Sequence, residues 1–72
     1  MSEAERLAAF EAMLAAVQKQ YAETTARMDK MKLEGKVKTA TYRQLFARKL
    51  SLQDVLTLYE VYGLLPKDGE TK

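Results

Sequence analysis

No glycine or proline interrupts residues 2–34, and apolar side chains recur through that stretch at alternating intervals of three and four. They are Leu7, Phe10, Leu14, Val17, Tyr21, Met28 and Met31, and only Thr24 dilutes the series. Such a spacing keeps one narrow stripe on one side of an α-helix, and a narrow stripe requires a facing helix. Eight alanines between Ala4 and Ala26 raise helix propensity further. Ser2 with Glu5 three residues later has the spacing of a capping box, and Gly35 suits the left-handed residue just past a helix end. The reading is a first helix over about residues 2–34, roughly 50 Å long at 1.5 Å per residue.

Residues 36–40 form a connection short enough to send the chain back antiparallel. Thr41 with Gln44 offers a second capping box, and Thr39 is a competing cap. Tyr42, Leu45, Phe46 and Leu50 share one face of a second helix over about 41–50. Ser51 with Asp54 offers a third box, flanked by Leu50 and Val55 at hydrophobic-staple positions, so a break is expected there. A third helix then runs over about 52–62, with a single continuous second helix as the alternative. Gly63 and Leu64 suit a Schellman ending, Pro66 blocks continuation, and the tail 66–72 is expected to be disordered.

The expected architecture is therefore all-α. One long helix forms an antiparallel hairpin with two shorter ones, in a single domain. At 72 residues a lone core is small. Chains of this size are commonly reinforced by disulfides, a metal, self-association or very regular packing. Cysteine and histidine are both absent, which removes disulfides and the usual zinc and haem ligands. The third helix is apolar over an arc of roughly 220°, far more than one contact needs. Two shorter helices totalling about 30 Å also fall short of the first. A homodimeric helical bundle follows as the expectation. Its interface would involve Leu7, Phe10, Leu14 and Val17 of the seam with Leu58, Val61, Tyr62 and Leu64.

Enzymatic chemistry is not expected. The commonest general base and thiol nucleophile are missing, Ser2 and Ser51 look like caps, and no glycine-rich phosphate loop exists. No cofactor or metal is expected. The acidic start lacks a secretory signal, and no window approaches the roughly 20 apolar residues of a membrane span. The chain reads as soluble and cytoplasmic, without a membrane partner.

Charge is unevenly placed. Residues 27–49 hold eight cations and two anions, a net +6, while the rest of the chain holds four and eight, a net −4. Arg27, Lys30, Lys32, Lys36, Lys38, Arg43 and Arg48 would gather near the tip of the hairpin as a candidate anion or nucleic-acid patch. A helix-turn-helix does not fit, because the third helix carries Asp54 and Glu60 and no cation. The leading functional expectation is a non-enzymatic protein-interaction module, a small adaptor or inhibitor that self-associates through the heptad seam. The alternative is a nucleic-acid-associated accessory protein that uses the basic tip.

Overall fold

The computed structural model describes residues 1–65. The expectation for the tail 66–72 lies outside them. Two helices, α1 (Glu3–Leu33) and α2 (Ala40–Val61), make an antiparallel hairpin, with no strand among the described residues.

Both ends of α1 follow local chemistry. The Glu5 backbone N–H donates to Ser2 Oγ at 3.1 Å, and the Ser2 backbone N–H donates to Glu5 Oε1 at 2.8 Å. This reciprocal pair satisfies two donors that a helix start leaves free. At the other end Gly35 takes φ +74°. Its N–H donates to the Lys32 carbonyl and that of Lys36 to the Met31 carbonyl, completing a Schellman motif. α2 ends the same way. Gly63 has φ +78°, and the N–H groups of Gly63 and Leu64 donate to the carbonyls of Glu60 and Tyr59.

α2 starts at Thr39, not Thr41. The Tyr42 N–H donates to Thr39 Oγ1 at 3.1 Å, while the Thr39 hydroxyl donates to the Lys36 carbonyl at 2.9 Å. Thr39 thus ties the turn to the helix it opens.

The expected break at Ser51 does not occur, and a single 22-residue helix replaces the two shorter ones. Continuity keeps Leu45, Leu52 and Tyr59, seven residues apart, on one side, where Leu45 and Tyr59 are buried and Leu52 is half-buried. A cap at Ser51 would require it to leave helical geometry, and the stripe would lose its register against α1. Leu50, half of the expected staple, is exposed instead.

The register is set by two contacts. The Phe10 and Tyr59 rings lie 5.3 Å apart in a tilted pair, and Arg48 Nη2 donates to Gln20 Oε1 at 3.2 Å. α2 therefore covers α1 as far as Phe10. Leu14, Val17, Tyr21 and Met31 are half-buried and Thr24 and Met28 are buried. The exposed part of the seam is Leu7 and Phe10, whereas Leu14 and Val17, expected at the interface with them, are half-buried under α2. The molecule spans 48 × 31 × 15 Å, a single layer of two helices.

Candidate functional site

Two rows of side chains seven residues apart edge the cleft between the helices. Met13, Gln20 and Arg27 lie along α1, and Arg48, Val55 and Tyr62 along α2. Between them run three hollows whose character changes from one end of the hairpin to the other.

At the open end the hollow is apolar, about 220 Å³, and lined by Phe10, Met13, Val55, Leu58, Tyr59, Tyr62 and Leu64. Leu58 is 60% exposed, Tyr62 77% and Leu64 48%. Tyr59 is only 5% exposed, and its hydroxyl is buried without a hydrogen-bond partner. Leu7 belongs to a neighbouring depression with Glu3, Arg6 and Phe10. Of the eight expected interface residues, the fold thus brings Phe10, Leu58, Tyr62 and Leu64 together and sets Leu7 beside them. Leu14 and Val17 are half-buried, and Val61, 64% exposed, lies on the outer side of α2.

The middle hollow is polar and lined by Gln20, Glu23, Thr24, Arg27, Leu45 and Arg48. At the turn, Arg27, Lys30 and Lys36 surround a third hollow with the hydroxyl residues Thr39 and Thr41. Glu34 is its one anion and pairs with Lys36 at 3.3 Å. No acidic residue occupies the first turn of α2, so the positive end of that helix dipole adds to the cations. The expected basic cluster is therefore divided. Arg27, Lys30 and Lys36 converge and Arg48 sits in the adjoining hollow. Arg43 lines a separate depression with Val37, Tyr42 and Phe46. Lys32 and Lys38 line none of these hollows.

Sequence reasoning missed Met13 and Val55 at the open end and Thr39 and Thr41 at the turn. The signal for Met13, Val55 and Thr41 was the seven-residue spacing of the two rows, which flanks each buried stripe as the outer positions of a heptad do, while Thr39 is placed there by its role as the cap of α2. Among the described residues no three carboxylates gather as a metal site would require, and no helix is long and apolar enough to cross a membrane. No protein-family model matches the chain, and no significant match occurs among curated proteins or solved structures, so what the cleft does has to be argued from its own chemistry.

Proposed function

We propose that this chain is a non-enzymatic protein-interaction module, a small helical adaptor or inhibitor that associates with itself and works through its helix faces. The self-association rests on how few side chains the hairpin buries by itself, and one observation carries the reading as a binding module. Phe10, Met13, Leu58, Tyr62 and Leu64 are all exposed around one apolar hollow. Aromatic and aliphatic side chains grouped around a concavity are the usual anchors of protein interfaces. A cysteine-free composition suits a cytoplasmic setting.

Sedimentation equilibrium across a hundredfold concentration range tests self-association. The expected result is a dimer at tens of micromolar that persists in high salt, as apolar contacts do. A well-folded monomer throughout that range would overturn it.

A second reading rests on the turn. Three cations and two hydroxyl residues around one hollow suit a phosphate backbone. Binding to a single-stranded oligonucleotide should then fall steeply with salt and be lost when Arg27, Lys30 and Lys36 are changed to Glu. Salt-independent or absent binding removes this reading.

A further inference from the structure

Resting on the self-association just proposed, we infer that two copies of this chain pair through the outer face of α2. The helices run antiparallel about a two-fold axis between Gln53 and Asp54. The inner face of α2 is already occupied by α1, yet the helix remains apolar on its far side. Phe46 and Leu50 are each 47% exposed and Val61 64%. With Thr57 they fall within roughly 60° of arc on the helix.

This stripe is self-complementary in one direction only. Antiparallel alignment about that axis sets Phe46 against Val61 of the partner subunit and Leu50 against Thr57 of the partner subunit. Each large side chain then meets a smaller one, as helix packing favours. The charges point the same way. Outside the cleft the cations of α2 are Arg43 and Lys49 in its first half, and its anions are Glu60 in its second half and Asp54 beside the axis. Antiparallel pairing lays the cationic half of one helix along the anionic half of the other. Parallel pairing would lay like on like.

Charge also argues against the cleft flank as the contact between copies. Apolar at the open end and cationic at the turn, that flank would seat cations on apolar side chains if antiparallel and cations on cations if parallel.

Surface area supports a partner of this size. The accessible surface is 5801 Å². A compact monomer of 8.2 kDa would expose about 4,500 Å². The surplus exceeds the roughly 800 Å² per partner that a standard interface buries. Docking a second hairpin on the far side of α2 extends the single layer from two helices to a row of four.

The chain has no cysteine, so introduced thiols report contact without background. Phe46→Cys and Val61→Cys proteins are treated with a short bis-maleimide, separately and as an equimolar mixture. Helical circular dichroism checks that each variant is folded. The mixture should yield cross-linked dimers in several-fold excess over either variant alone. Leu50→Glu, at an exposed position, should weaken dimerisation about tenfold or more and leave the hairpin folded. Self-linking of Phe46→Cys outrunning the mixture would overturn the antiparallel register. Absent cross-links in a protein that still sediments as a dimer would overturn the α2 face and leave the interaction reading standing. A monomeric wild type would overturn both.

Discussion

Tyr59 occupies the most constrained position of the open end. Its ring packs against Phe10 while its hydroxyl is buried with nothing to bond. An unsatisfied buried hydroxyl costs about 1–3 kcal/mol. Tyr59→Phe should therefore match or exceed the wild-type stability in urea unfolding. A loss above about 1 kcal/mol would mean that the hydroxyl finds a partner in solution. The two threonines of the turn give a second contrast. Thr39→Ala removes the acceptor for the Tyr42 N–H and should lose about 1 kcal/mol, whereas Thr41→Ala should change little. Both threonines have a residue pattern that permits a cap. What separates them is the bond from the Thr39 hydroxyl back to the Lys36 carbonyl, which depends on how tightly the turn folds.

At the scale of elements, α1 was legible almost in full, because every signal over that stretch agrees. The seam, the Ser2–Glu5 box and Gly35 all specify one helix with the same ends. α2 was harder because its signals compete. Ser51, Asp54, Leu50 and Val55 make a local case for a break, yet the heptad of Leu45, Leu52 and Tyr59 holds only if the helix is continuous. Burial against α1 outweighs a surface cap worth about 1 kcal/mol. Inside a continuous helix Ser51 is exposed and serves no capping role, so Ser51→Ala should stabilise the protein by a few tenths of a kcal/mol through helix propensity. Destabilisation near 1 kcal/mol in thermal unfolding would instead restore the cap. The candidate site falls between these cases. Its cations were visible as a composition shift. Their division into separate hollows was not, since it depends on the register that joins Gln20 to Arg48 and Phe10 to Tyr59.

The whole molecule is a layer rather than a globule. Its radius of gyration is 15.1 Å, where about 11 Å is usual for a compact domain of this length. Among the described residues only Thr24, Met28, Leu45 and Tyr59 are buried. Under the proposed self-association, a core this thin draws stability from the partner copy, and mass action makes the melting temperature depend on concentration. Calorimetry should show the transition rising by several degrees over a hundredfold increase in protein. A concentration-independent transition would mean that the isolated hairpin is sufficient.

The Schellman turn at Gly35 also sets the order in which contacts can form. Thr24 and Leu45 are separated by about 20 residues along the chain, and Phe10 and Tyr59 by nearly 50. Closing the longer loop first costs more entropy, by under about 1 kcal/mol. Closing it after the turn has zipped costs little. The hairpin should therefore assemble from turn to open end and unzip in reverse. Native-state hydrogen exchange should find the amides around Thr24 and Leu45 better protected than those around Met13 and Tyr59. The apolar end is then the part that breathes, and a partner that captured it would act as a clasp, slowing the opening of the whole zipper.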